Sequence, residues 1–178
     1  MRSFVRSWGL SSLPSRCLVM NSSVIIALAK LNMTDIISVL NIEIIVPHAV
    51  YGEVVAKGRG RPGSKELEIL INQGKVKVLA PQDRALVEAL HDPLGIGESE
   101  AIAVAVEHGC MIALDDRIAR SKAKSMNLKV IGTIGLLRLA YNKGLIDKDK
   151  LIQALRELKE HGFRISDNII NEALKKLK

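Results

Sequence analysis

GIGESEAIAVAVEHGCMIALDDRIAR, running from Gly95 to Arg120, is the stretch whose reading decides the fold. It holds two acidic pairs, Glu98 with Glu100 and Asp115 with Asp116. Between them lie a helix-like apolar segment and a short strand-like run, with Gly109 as the stop signal between the two. An acid in the first turn of a helix and another at the end of a strand can converge on one point. Converging carboxylates repel unless protons or a cation neutralise them, and oxygen donors of this kind suit a hard divalent cation such as Mg2+ or Mn2+.

Outward from that stretch, strand and helix patterns alternate. Cys17–Met20, Ile42–Val46, Val76–Leu79, Met111–Leu114 and Val130–Ile131 read as strands. Helices are expected at Val24–Leu31, from Pro47 to about Ala56, from about Lys65 to Asn72, at Gln82–Leu90, Glu98–His108 and Asp116–Ser125. Three more follow at Thr133–Asn142, Lys148–His161 and Ser166–Lys178. Alternation of this kind implies a parallel sheet with helices on both faces. The strands are continuous aliphatic runs, as expected when both faces are buried. The last two helices have no strand between them and read as a C-terminal appendage with apolar packing stripes. KGRGRPGSK, from Lys57 to Lys65, reads as a basic loop.

The bulk composition sets limits. The 178 residues fit one domain, and a 48% hydrophobic fraction is enough for a substantial core. Aromatics make up 3%, which argues against a base-stacking platform for single strands. A formal charge of +7 favours polyanionic partners, although a solvated lysine-rich surface gives the same number. No apolar run approaches a membrane span. Residues 1–16 contain Arg2, Arg6, Arg16 and several serines but no acid, and read as an N-terminal extension superficially like a transit peptide. Cys17 and Cys110 have neither metal-ligand spacing nor a disulfide framework, so a reducing cytoplasm is the default. His48, His91, His108 and His161 likewise lack ligand spacing.

In an open parallel sheet, ligands bind beyond the carboxyl ends of the strands. Asn21 follows the first strand, and Glu53 lies on the helix after the second. Glu100 sits in the first turn of the helix before the fourth strand, which Asp115 and Asp116 close. Any one of these acids alone reads more readily as a helix-end or surface residue than as a ligand, Glu98 and Asp116 above all. The joint arrangement carries more weight. Glu100 heads a helix that at once becomes apolar, and Asp115 ends a strand that is apolar throughout.

GESEAI at Gly97–Ile102 and ALDDRIAR at Ala113–Arg120 resemble motifs of the PIN-domain family, in particular a prokaryotic group with a GEAEAI helix followed by an IDDRxAR strand end. LVMNSSVIIAL at Leu18–Leu28, VPHAVYGEV at Val46–Val54 and VIGTIGLLRLA at Val130–Ala140 are similar to further family segments. The resemblance covers residues 17–178, with C-terminal helices from about 145. It implies a three-layer α/β/α fold with a five-stranded, mainly parallel sheet of order 3-2-1-4-5. It also implies a Mg2+- or Mn2+-dependent ribonuclease, often the toxin of a toxin–antitoxin pair and usually a homodimer.

Carried over residue by residue, the acids are Glu53, Glu100 and Asp115 or Asp116, with Glu100, Asp115, Asp116 and Asn21 as metal ligands. Ser22, Ser23, Lys57, Arg59, Arg61, Arg117 and Arg120 are the candidates for holding RNA, though Arg117 and Arg120 could instead pair with nearby acids. The first family acid falls on Asn21, which keeps an oxygen but loses a charge. Two readings therefore stay open: an active metal-dependent ribonuclease, and a catalytically impaired module that binds RNA or a protein partner. A phosphoacceptor receiver domain is disfavoured, because it expects its acidic pair after the first strand. The implied sheet order makes the strands of Cys17 and Cys110 neighbours, so the two thiols are expected close together, away from the acids. Whether they are bonded stays open.

Overall fold

A computed structural model describes residues 16–163. Its centre is a five-stranded sheet made of β1 (Cys17–Met20), β2 (Glu43–Pro47), β3 (Val76–Leu79), β4 (Met111–Ala113) and β5 (Val130–Ile131). All neighbouring strands are parallel, in the order β3-β2-β1-β4-β5. The fold is therefore the one that the alternation and the resemblance predict.

Side chains alternate across each strand. Leu18, Met20, Ile44, Val46, Met111 and Ala113 enter one core layer. Cys17, Val19, Ile45, Ile112 and Leu114 enter the other. Both layers are covered, which is why the strands show no polar alternation. On the first face pack α1 (Ser22–Lys30), α2 (Asp35–Val39), α3 (His48–Tyr51), α4 (Ser64–Asn72), α8 (Thr133–Asn142) and α9 (Lys148–Glu160). On the second pack α5 (Arg84–Leu90), α6 (Ile96–His108) and α7 (Arg117–Ser125).

Several boundaries differ from the sequence reading for identifiable reasons. α6 begins two residues early because Glu98, in its third position, reaches back to accept the Gly95 N–H at 3.0 Å. Its far end is set by Gly109, at φ 62°. α2 is absent from the sequence reading: it is only five residues long, too short to show a period, and buries Ile36 and Ile37. α3 continues directly into a π turn over Gly52–Ala56. α9 is no appendage, since Leu151, Leu155 and Leu158 are fully buried in the main core. The helix expected at Ser166–Lys178, with its second apolar stripe, lies outside the described residues.

Cys17 and Cys110 are joined by a disulfide across 93 residues, with Cα atoms 4.9 Å apart. The bond ties the amino ends of β1 and β4, at the opposite edge of the sheet from the acids. The sequence expectation of proximity is met, and the open question of bonding is answered. A disulfide is uncommon in the reducing compartment taken as the default.

Closing a loop of this length constrains the unfolded chain. The chain-entropy account puts the contribution on the order of 4 kcal/mol. Urea titrations with and without reductant should show the midpoint falling on reduction. Thiol titration should find no reactive thiol before reduction and two after it.

Candidate active site at the carboxyl edge of the sheet

From β1 the chain steps outward to β2 and β3, then returns to lay β4 on the other side of β1. The β1–β4 border is therefore the topological switch point, where connections diverge and leave a crevice beyond the carboxyl ends. Asn21 and Asp115 stand at this border. The Asn21 N–H donates to the Ala113 carbonyl at 3.2 Å, which extends the β1–β4 ladder by one residue. Asn21 is 2% exposed, so its side-chain oxygen is held in the crevice wall and not in open solvent.

α6 supplies the next acid. The helix is apolar on almost every side, and Glu100 is only 5% exposed at its head. A buried carboxylate requires partners. One oxygen, Oε2, accepts the backbone N–H of Ala49 at 2.7 Å. That N–H lies in the first turn of α3, where helix donors have no partner within the helix. The other oxygen, Oε1, lies 3.7 Å from the Arg84 guanidinium, whose side chain is 70% exposed.

Glu53 arrives on the π turn that continues α3. π turns interrupt the regular ladder and often occur at functional sites. Here the turn lays the Glu53 carboxylate against the backbone of Gly97. A Cβ on Gly97 would lie 2.7 and 2.8 Å from the two Glu53 oxygens, so glycine lets the carboxylate lie here and any larger residue would turn it aside. Gly97 and Glu100 are three residues apart on α6 and share a face. Glu53 and Glu100 are thus brought to the same side of one helix by the packing of α3 on α6.

Asp115 follows β4 and turns towards the start of α8. Its Oδ1 accepts the Thr133 N–H at 2.9 Å, and its Oδ2 accepts the Thr133 hydroxyl at 2.6 Å. A carboxylate has about four acceptor positions, so two hydrogen bonds leave it able to take a further ligand. Gly132 forms the adjoining wall, where a Cβ would lie 2.6 Å from Arg120 Nη1 and 3.0 Å from Asp115 Oδ1. Asp116 commits one oxygen to the helix: its Oδ1 accepts the Ala119 N–H at 2.8 Å and caps α7.

The remaining expected residues divide. The Ser22 hydroxyl lies 3.5 Å from Asn21 Oδ1, while Ser23 Oγ is buried with no partner at all. Lys57, Arg59 and Arg61 are exposed on the loop that follows Glu53, and Arg117 is exposed at the start of α7. None of the four forms an ion pair among the described residues. Arg120 turns inward, and its Nη1 donates to the Leu114 carbonyl at 2.8 Å in place of an acid.

Sequence reasoning missed Arg84, Gly97, Thr133 and the Ala49 N–H, each of which touches one of the acids. Gly97 lies inside the quoted motif and had a signal. The other three are brought in by tertiary packing and had none. Also missed were Lys122, Lys124 and Lys129, exposed on and after α7. Their signal is an acid-free run from Arg117 to Ile146, which begins at the site.

The donors on this edge are carboxylate, amide and hydroxyl oxygens, the set that suits a hard divalent ion. Ser23 Oγ, buried and unpaired, adds an oxygen without a protein partner. Among the described residues, no three His, Cys, Asp or Glu side chains are grouped closely enough to enclose an ion. The chemistry therefore fits an ion such as Mg2+ that keeps several waters and takes few protein ligands. No helix among the described residues is long and apolar enough to cross a membrane.

Comparison with known proteins bears on the family and the fold. A family profile described as a PIN domain matches residues 17–178. Among solved structures, the chain is similar to a PilT N-terminus domain protein from the hyperthermophilic archaeon Sulfolobus solfataricus P2. The identity is 21% and the TM-score 0.51, over 67% of this chain and 89% of that one. No curated protein matches.

Two substitutions probe the packing of the site. Gly97→Ala puts a methyl where the Glu53 carboxylate now lies; that carboxylate ends a flexible side chain and swings aside, and alanine gains about 1 kcal/mol of helix propensity over glycine, so stability should hold or rise slightly while Glu53 leaves its place beside Gly97. Thr133→Val strips Asp115 Oδ2 of its donor and should cost about 1.5–3 kcal/mol, the scale of a hydrogen bond to a charged group. Denaturant midpoints at unchanged slope would check both.

Proposed function

Because the chain belongs to the PIN-domain family, whose members are generally nucleases, we propose that it is a divalent-metal-dependent ribonuclease that hydrolyses RNA phosphodiester bonds. The observation that carries this reading is the convergence on α6. The Glu53 carboxylate lies against Gly97, three residues from Glu100 on α6. Asn21 and Asp115 face the same carboxyl edge from the β1–β4 border.

Phosphodiester hydrolysis needs a water that loses a proton as it attacks phosphorus and a leaving oxygen that gains one. A bound Mg2+ or Mn2+ would acidify that water and offset charge on the phosphate. Glu100 and Asp115 are the residues to hold the ion, with Asn21 adding a neutral oxygen and Asp116 acting through water. Glu53, half-buried and against Gly97, would orient the attacking water and accept its proton. Ser22 and Ser23, at the start of α1, are hydroxyl donors for a phosphate oxygen. Lys57, Arg59, Arg61 and Arg117 supply exposed charge for the strand's backbone. With few aromatics, RNA binding should rest on phosphate contacts and weaken steeply with salt. The resemblance extends the proposal to a toxin with an antitoxin-type partner, working as a homodimer; the cytoplasm that composition suggested sits against the disulfide between Cys17 and Cys110.

Asn21 favours a second reading. An amide in place of a carboxylate removes one negative charge from the ion's surroundings, which fits a module that binds RNA or protein without cleaving.

The two readings separate in one assay. Wild-type protein should cleave single-stranded RNA in Mn2+, and Glu100→Gln should slow cleavage by at least about a hundredfold, the scale of one lost acid–base or electrostatic contribution. Asn21→Asp should raise the rate by restoring the missing charge. An inert wild type alongside an active Asn21→Asp variant would establish the impaired module instead.

A further inference from the structure

Among the described residues, Arg84 is the one charged side chain paired with a buried acid of the site, and its position is constrained from behind. The backbone N–H groups of Gln82 and Asp83 donate to the Glu107 carboxylate at 2.8 to 3.1 Å. Asp83 in turn caps α5, accepting the Leu86 N–H at 2.9 Å. Glu107 and Glu100 are seven residues apart on α6, two turns along one face. The start of α5 is thus fixed at the far end of that face, and the Arg84 side chain reaches back to Glu100.

The pair is asymmetric. Glu100 is buried and also held by Ala49, whereas the Arg84 side chain is 70% exposed and stands 3.7 Å away, beyond hydrogen-bonding distance. Exposed ion pairs are weak, so a guanidinium in this position is readily displaced. A divalent ion held by Glu100 would supply the same neutralisation with two charges and would repel the arginine. Arg84, anchored by its backbone and with its side chain in solvent, then stands beside the site with its donor fork free. That fork matches the oxygens of a phosphate.

We propose that Arg84 serves two anions in turn: Glu100 while no metal is bound, and an RNA phosphate next to the scissile bond once metal is bound. Arg84 is then a substrate-positioning residue whose availability depends on the metal. The inference rests on the metal-dependent ribonuclease reading.

The test uses the full chain as wild type, Arg84→Gln and Arg84→Lys. Mn2+ alone is titrated calorimetrically, and steady-state cleavage of a short single-stranded RNA is followed over a range of salt. Arg84→Gln should bind Mn2+ about two- to fivefold more tightly, because a competing cation worth up to about 1 kcal/mol has gone. Its KM for RNA should rise with little change in kcat, and the log–log salt slope should fall by about 0.7, the value of one single-strand phosphate contact. Arg84→Lys should recover the salt slope in part, as a point charge without the fork.

Mn2+ binding that is unchanged or weaker in Arg84→Gln overturns the proposal, because Arg84 then does not compete with the ion. Tighter Mn2+ binding with an unaltered KM also overturns it, leaving Arg84 as a counter-ion only. Failure of wild type to bind Mn2+ removes the metal-dependent reading itself, a result distinct from either of these.

Discussion

Everything at this site depends on a carboxylate buried where water cannot reach it freely. Glu100 is anchored by the apolar body of α6, which packs against β1, β2 and β4. An unpartnered ion there would be costly. The protein answers with the first-turn N–H of α3 and the guanidinium of Arg84. Both partners come from distant parts of the chain, so neutralising one acid also fixes how two other helices meet α6. The same contact sets the start of the helix whose π turn delivers Glu53.

The other acids follow the same rule. Glu98 closes the start of α6, Glu107 holds the backbone just before α5, Asp115 receives the first N–H of α8, and Asp116 caps α7. Helix starts offer unpaired donors and the positive end of the backbone dipole. Each carboxylate is therefore oriented before any cation or substrate arrives. Such pre-orientation lowers the ordering needed on binding. Asn21 departs from the pattern, since its side chain caps nothing.

This division explains what could be read from the chain. Strand order and layering were legible because aliphatic runs and glycine stops are local signals, and the motif at Gly97–Ile102 tied them to a family. The local caps at Glu98 and Asp116 were legible as ordinary helix-start acids. The partners of Glu100 and Asp115 were not, because Ala49 and Thr133 are 51 and 18 residues away and only packing brings them near. Arg84 had no motif, and nothing in its neighbours' identity points to Glu100. The π turn was illegible for a different reason, since its residues read as ordinary helix until the packing on α6 is known.

The strand order also governs when the site comes into existence. β1 pairs with β4, which is made some 90 residues later, so the border that holds Asn21 has no second wall while the chain is short. Asp115 in turn takes its hydrogen bonds from Thr133, later still. A chain emerging from the ribosome holds β1, β2 and β3 while the edge of the candidate site is half absent. Completion of the sheet and completion of the candidate site are therefore the same event.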